Sequence, residues 1–374
     1  MTPLVFHAIA FSARQVGSGL AVSALIGTVV RLLSGALLDR GLRCSWPVRL
    51  TTVLAICADL ALYRADTYGG YLLGQLLLGT AAGLYWPAIE LAVPLSCGAV
   101  PSGRGYALVR SADALGIGLG ALLGSLAASF GQLRLVYGVE AVFMASVLVM
   151  ISVNPLIDER PTSPKAARGP QVGPTNLNWL PPLIPVLAVS LVATGILSLF
   201  QSALPLDLVL GGLERPGLSE SHSSALIALQ LTLLVLLQWP VGRWLSERSV
   251  TFGLSLSLLS FGVGCGLIGL SSLSSTGTGL VVTALLPMAF AQAAFLPTAT
   301  EAVIEETPPE HHGLAMALFS QCFALSAVVA PVAGGTLLDQ QGNGLMLWLL
   351  MGGISIATLP LIRKLNSPQQ AQRD

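Results

Sequence analysis

Long apolar stretches separated by short polar loops dominate the sequence. Eleven of them come close to the roughly 20 residues that a helix needs to cross a bilayer core about 30 Å thick. Their predicted bounds are 16–38, 47–64, 69–96, 104–128, 134–153, 180–204, 221–243, 250–272, 277–302, 313–337 and 344–362. The pattern predicts an all-α integral membrane protein with eleven full transmembrane helices.

The amino-terminal stretch, residues 1–13, is apolar but too short to span a bilayer. It lacks the basic leading region and the cleavage site that are typical of a signal peptide. We interpret it as the outer half of a first helix whose beginning is missing, and therefore as a partial twelfth helix.

Basic residues are distributed unevenly between alternating loops. Of the 18 lysines and arginines, thirteen fall in one set of loops and ends, four fall in the opposite set, and Arg31 lies inside a helix. Because basic residues concentrate on the cytoplasmic side, this predicts a multi-pass plasma-membrane protein with a cytoplasmic carboxyl terminus. The polar, proline-rich segment 154–179 then reads as a cytoplasmic linker between an N-terminal helical bundle at 1–153 and a C-terminal bundle at 180–374.

An internal repeat supports this division. Residues 87–126 align without a gap with residues 297–336, so that Pro87 matches Pro297 and Gly103 matches Gly313. A chain built twice on one apolar plan predicts two similar halves, and membrane transporters hold their cargo at the seam between such halves.

Composition excludes several other classes of protein. Hydrophobic residues make up 53% of the chain, charged residues make up 10%, and the formal net charge is zero, so there is no electrostatic footprint for nucleic acid. The five cysteines form no CxxC pair, and the adjacent His311 and His312 cannot easily converge on one ion, so we expect no metal and no cofactor. The chain lacks GxSxG, HExxH and GxxxxGK[ST] patterns, which disfavours an intramembrane enzyme or a primary pump.

Two short loops carry a family resemblance. The first reads GALLDRGLR and the second reads GRWLSER. The first resembles the cytoplasmic loop signature of the major facilitator superfamily, and the second departs further because Glu replaces Asp. The resemblance implies an efflux-permease-like transporter of two pseudo-symmetric six-helix bundles around a central cavity. It also implies a cytoplasmic gate in which a carboxylate latches onto a facing helix terminus. The residues of this gate are Gly35, Asp39, Arg40, Arg43, Gly242, Glu247 and Arg248.

Small residues recur in two of the predicted helices, and we expect them to act in helix packing or as hinges. Both stretches resemble the glycine signature that the superfamily associates with antiporters, although Ala121 stands where the first copy should have proline. The residues concerned are Gly116, Gly120, Gly124, Pro331, Gly334 and Gly335.

Charged residues inside the predicted spans are candidates for transport chemistry, because such groups usually face a partner or a wet cavity. We expect Arg31, Glu90, Arg110 and Asp113 to lie at similar depth and to form one buried network. In this hypothesis either Glu90 or Asp113 gains and loses a proton during transport. The alternative is a permanently paired cluster that only ties helices together.

Further charges lie towards the ends of their predicted helices. Glu301 is either a second coupling or substrate group or part of an ion pair with Arg243 at the cytoplasmic end. Asp59, Glu140 and Asp207 are expected to reach water near the outer ends, without an assigned role.

Together these features predict a monomeric secondary active transporter that moves a small organic solute by alternating access, with proton coupling and in the direction of efflux. Its expected partners are the solute, the proton and the lipid bilayer. A solute uptake permease of the same fold and a non-transporting membrane receptor or assembly protein remain as alternatives.

Overall fold

The computed structural model describes residues 13–158, 177–363 and 365. Within these residues the secondary structure is entirely helical. The helices are α1 (Ala13–Asp39), α2 (Ser45–Tyr63), α3 (Tyr68–Ser96), α4 (Ser102–Ser129), α5 (Leu135–Val153), α6 (Leu180–Leu210), α7 (Glu220–Leu245), α8 (Val250–Ser271), α9 (Gly277–Glu305), α10 (His312–Gln341), α11 (Leu345–Ala357) and α12 (Leu359–Ile362). The all-α membrane architecture predicted from the apolar stretches is thereby confirmed.

Among the described residues, ten helical segments are long and apolar enough to cross a membrane. Helices α11 and α12, joined at Thr358, occupy the last predicted stretch. Residues 1–12, which hold nearly all of the predicted partial first helix, lie outside the described residues. Most of the predicted linker, residues 159–176, lies outside them as well.

Local sequence explains where several helices begin and end. The hydroxyl groups of Thr67, Ser219 and Ser249 accept backbone N–H bonds from the first turns of α3, α7 and α8, as expected of N-cap residues. Helix α6 ends at Gly211, where φ is 87°. Any residue other than glycine would rarely adopt this backbone conformation, and its Cβ would lie 2.8 Å from the carbonyl oxygen of Arg215.

The described chain forms two compact units. Unit 1 contains the described residues up to 98, those within 116–176, and residues 309–320; unit 2 contains residues 99–115, 177–308 and those from 321 onward. In unit 1, α3 packs along α1 and α2, and α2 packs along α5. In unit 2, α9 packs in the same way along α7 and α8, and α8 packs along α11. The two units therefore repeat one packing scheme, as the sequence repeat suggests.

Two helices are shared between the units. Helix α4 begins in unit 2 and continues into unit 1, whereas α10 begins in unit 1 and continues into unit 2. The division at residues 154–179 remains a prediction.

Candidate functional site

The carboxylate of Asp39, at the end of α1, caps the start of α10 within unit 1. Its two oxygens accept hydrogen bonds from the backbone N–H groups of Gly313 at 2.6 Å and Leu314 at 2.9 Å. The first N–H groups of a helix have no partner inside the helix and carry partial positive charge, so a carboxylate stabilises them.

Close backbone approach makes this contact possible. A Cβ on Gly35 would lie 2.5 Å from the carbonyl oxygen of Gly313 and 2.8 Å from the Cβ of Ala317. Only a glycine at position 35 lets α1 approach α10 this closely. Arg40 and Arg43, the other predicted members of this loop, are exposed.

The second loop is arranged differently in unit 2. A Cβ on Gly242 would lie 2.5 Å from the Cβ of Ala107, so the end of α7 contacts the start of α4 closely. Glu247 forms an ion pair with Arg104 at 2.7 Å, in which the glutamate side chain is 65% exposed. Arg248 stacks on Trp244, with its guanidinium carbon 4.6 Å from the ring centroid. The second loop thus supplies the close helix contact and an exposed ion pair.

Glu301, near the end of α9, caps α4. One of its oxygens accepts a hydrogen bond from the hydroxyl of Ser102 at 3.1 Å, and its carboxylate also accepts from the backbone N–H of Gly103. Arg243, which the sequence offered as its partner, is exposed. In unit 2 the capping carboxylate therefore comes from α9, and no sequence pattern links residue 301 with a helix start nearly 200 positions earlier.

Arg31 and Glu90 interact electrostatically between α1 and α3 in unit 1. Glu90 is only 4% exposed. The Arg31 guanidinium also donates a hydrogen bond to the backbone carbonyl of Ser320 in α10, at 3.0 Å. The Arg31 guanidinium therefore links α1 to α10 by a hydrogen bond and interacts electrostatically with a carboxylate of α3.

Arg110 and Asp113 form an ion pair on α4 within unit 2, with an N–O distance of 3.2 Å and one helical turn between them. The arginine side chain is buried and that of Asp113 is half-buried. The four residues thus divide into Arg31 with Glu90 in unit 1 and Arg110 with Asp113 in unit 2. The single network of all four residues remains a prediction.

The predicted packing residues differ in their surroundings. No described heavy atom lies within 4 Å of a Cβ built on Gly116, Gly120 or Gly335, so none of these three glycines makes a close helix contact within the described part of the chain. Gly334 does, because its Cβ would lie 2.5 Å from a methyl group of Leu199. Gly124 is buried, and Pro331 lies within α10 without ending it.

Glutamines in the apolar helices connect neighbouring helices. The Gln238 side chain donates to the carbonyl of Ala293 at 3.3 Å. The Gln230 amide donates to the carbonyl of Leu285 at 2.8 Å and accepts from the N–H of Ala289 at 3.1 Å. Both glutamines therefore tie α7 to α9.

The expectation that Asp207 reaches water is wrong. Asp207 and Arg215 form an ion pair at 3.1 Å in which both side chains are 0% exposed. The Asp207 carboxylate also accepts from the N–H of Gly344 at 2.9 Å and from the indole N–H of Trp348 at 3.1 Å. Arg215 returns to the end of α6 through the turn at Gly211, and donates to the backbone carbonyl of Asp207 at 2.9 Å. The cluster ties together the end of α6, the following loop and the start of α11.

The same expectation is wrong for Asp59, which is 1% exposed. It interacts electrostatically with Glu140 of α5, which is half-buried. Only the register between two helices brings these carboxyls together, and the sequence does not show that register.

Comparisons with known proteins agree with this architecture. A family model described as Major Facilitator Superfamily matches residues 1–213 and again residues 210–373. No curated protein sequence matches the chain.

Three transporters are among the solved structures that share the fold. The human organic anion transporter MFSD10 (TETRAN) is 18% identical, with a TM-score of 0.70 over 95% of this chain and 87% of that one. The E. coli fucose:proton symporter FucP is 12% identical, with a TM-score of 0.74 over 95% and 92%. The proton:xylose symporter XylE is 13% identical, with a TM-score of 0.76 over 94% and 86%.

Proposed function

Because this chain belongs to the major facilitator superfamily of membrane transporters, we propose that it exports a small organic solute through the plasma membrane by alternating access, coupled to protons. The resemblance drawn from residues 35–43 is confirmed at the level of the family, and the chain is a multi-pass membrane protein. We further propose that it acts as a monomer with its carboxyl terminus in the cytoplasm, without enzymatic activity.

The observation that carries proton coupling is the buried position of Glu90 beside Arg31. A charged group inside a membrane span costs several kcal/mol unless it is compensated. Arg31 has a second acceptor, the carbonyl of Ser320. When Glu90 takes up a proton, Arg31 keeps its hydrogen bond to the carbonyl of Ser320. The pair therefore has a charged and a protonated state of Glu90, and Arg31 has an acceptor in both. A purely structural ion pair would have no use for the second state.

The named relatives give independent support for a proton and a small organic cargo. FucP and XylE are described as proton symporters of sugars, and MFSD10 is described as an organic anion transporter. The small-residue stretches of α4 and α10 resemble the antiporter signature, which favours export over uptake. An uptake permease is the second candidate, because two of the three relatives are named symporters.

Alternating access also requires contacts that form in one state and break in the other. We assign this role to the two helix caps, Asp39 on α10 and Glu301 on α4. Each cap consists of a few hydrogen bonds from backbone or hydroxyl donors to one carboxylate. A hydrogen bond to a charged group contributes about 1.5–3 kcal/mol. A cap of this strength can hold one conformation and still release within a transport cycle.

The decisive experiment uses purified protein in liposomes with an imposed proton gradient, tested against a panel of labelled sugars, organic anions and amphipathic drugs. For any compound that the wild type moves, the Glu90→Gln variant should lose gradient-driven accumulation and retain exchange of labelled for unlabelled solute. Glu247→Gln is the matched control, because this carboxylate is largely exposed, and it should leave accumulation unchanged.

The outcomes separate the alternatives. Full gradient-driven transport in both Glu90→Gln and Asp113→Asn would refute proton coupling through these residues. Accumulation in right-side-out vesicles and none in inverted vesicles would replace export by uptake, because the cytoplasmic face lines the lumen only in right-side-out vesicles. Absence of movement for every compound, in a folded protein that still binds one of them, would favour a receptor.

A further inference from the structure

A pair of acidic residues lies in unit 1, on helices that do not carry the proposed transport site. Asp59 of α2 and Glu140 of α5 interact electrostatically. One turn beyond Asp59, Leu62 packs in the same hydrophobic cluster as Tyr137, which lies one turn before Glu140. The antiparallel register of α2 and α5 therefore places the two carboxyl groups opposite one another.

The Asp59 carboxyl group is buried without compensation. Asp59 is 1% exposed, and neither of its side-chain oxygens has a hydrogen-bond partner. Among the described residues, neither Asp59 nor Glu140 forms an ion pair. A buried polar group without partners costs several kcal/mol, and an ionised one costs more.

The charged groups nearest in sequence to the pair are engaged elsewhere or lie in solvent. Arg134, at the start of α5, forms an ion pair with Asp66 at 2.7 Å, and also donates to the carbonyl of Tyr63 at 3.1 Å. Arg64, at the end of α2, is exposed.

Tyrosines are the titratable groups of the apolar cluster beside the pair. Tyr71 of α3 and Tyr137 of α5 are buried in the cluster that contains Leu62, and Tyr68 packs against it. A tyrosine hydroxyl is neutral at physiological pH, so none of these groups supplies a positive charge.

Two carboxylates that face each other in a poorly solvated place cannot both remain ionised at acceptable cost, and the usual solution is that one of them holds a proton. We propose that Asp59 and Glu140 form a proton-binding site between α2 and α5, which the folded protein keeps occupied at neutral pH. The ligand is a single proton, and the site is separate from the Arg31–Glu90 pair of α1 and α3.

The inference does not rest on the proposed transport function, and its test needs no substrate. Infrared difference spectroscopy between neutral and alkaline pH reports the carbonyl stretch of a protonated carboxyl, in detergent or in liposomes. The wild type should show loss of such a band on alkalinisation. Asp59→Asn and Glu140→Gln should each remove or shift this band. Asp66→Asn is the matched control, because Asp66 is an exposed aspartate near the end of the same helix, and it should leave the band unchanged.

A second measurement uses stability. If the folded protein holds a proton that the unfolded chain releases, the unfolding constant should rise roughly tenfold for each pH unit above the range where exposed carboxyls titrate. The slope of the logarithm of the unfolding constant against pH gives the number of protons released on unfolding. This number should fall by one in Asp59→Asn and in Glu140→Gln, and should not change in Asp66→Asn. Because Glu140 is only half-buried, Glu140→Gln provides the test if the aspartate variant does not fold.

Two results would overturn the proposal. One is a band and a pH slope that are the same in the wild type and in both variants of the pair. The other is stabilisation of the wild type by sodium or potassium ions at constant pH, lost in the variants, because this would assign the site to a metal cation in place of the proton. A change in Glu90→Gln transport has no bearing on either outcome.

Discussion

Removing the positive partner of the buried Asp207–Arg215 pair should strongly destabilise the protein. In Arg215→Met the side chain keeps much of its volume and loses its charge. The Asp207 carboxylate then stays fully buried with only the N–H groups of Gly344 and Trp348 as donors. Breaking a buried ion pair from one side costs about 3–5 kcal/mol, because an uncompensated charge remains.

The double variant Asp207→Asn/Arg215→Met should recover much of this loss. The asparagine has one acceptor oxygen for two donors, so one buried N–H group loses its partner at a cost of about 1–3 kcal/mol. No buried charge remains. The double variant is therefore expected to be more stable than Arg215→Met alone.

Equilibrium unfolding in mixed micelles, followed by tryptophan fluorescence, measures these differences. Trp348 is one of the six tryptophans that contribute to this signal, and its indole N–H contacts the Asp207 carboxylate. Arg104→Met is the control, because its ion pair with Glu247 is exposed and should contribute only about 0–1 kcal/mol. The reasoning fails if Arg215→Met is as stable as this control, or if the double variant is less stable than Arg215→Met.

Substitutions at the two helix caps and at the glycine contact test the candidate gate. Asp39→Asn leaves one acceptor oxygen for two N–H groups, so the protein should lose about 1–2 kcal/mol of unfolding free energy, measured by denaturant titration. Glu301→Gln should produce a similar loss, whereas Glu247→Gln should produce almost none; equal losses in all three would contradict the assignment of the caps. Gly35→Val should abolish transport and lower the thermal unfolding midpoint, because its Cβ would overlap the backbone of α10. Gly116→Ala should be neutral or slightly stabilising, since no described heavy atom lies within 4 Å of a Cβ at that position; a marked loss of stability there would support a packing role for this glycine.

The all-helical architecture and the order of the apolar helices were predictable because a membrane span needs a long apolar stretch, and little else in a sequence has that length. The bounds were less accurate. Helix α6 continues to Leu210, six residues beyond the predicted end. The extra turns contain Asp207, and a charged residue near the end of an apolar stretch suggests contact with water. Arg215, in the loop that follows α6, compensates this charge. The apolar pattern does not show the turn that brings Arg215 back to the end of α6.

Pairings between helices were the part that the sequence did not reveal. A glycine shows that close approach is permitted, but not which helix approaches. Gly35 and Gly242 contact other helices closely, whereas no described heavy atom lies within 4 Å of a Cβ at Gly116 or Gly120. In the same way, the facing carboxyls of Asp59 and Glu140 depend on the register of α2 against α5. Periodicity within either helix says nothing about that register.

The repeat and the caps together show what the two units share. In each unit a carboxylate from another helix accepts hydrogen bonds at a helix start, since the first N–H groups of α4 and α10 have no partners within their own helices. Unit 1 uses Asp39 from the end of α1, whereas unit 2 uses Glu301 from α9. In the alignment Glu301 matches Leu91, so these two carboxylates are not equivalent positions of the repeat. Both units therefore need a capping carboxylate, but the residue that supplies it differs. The counterpart of Asp39 in unit 2 is Glu301, which makes the equivalent contact, and not Glu247, which occupies the equivalent loop.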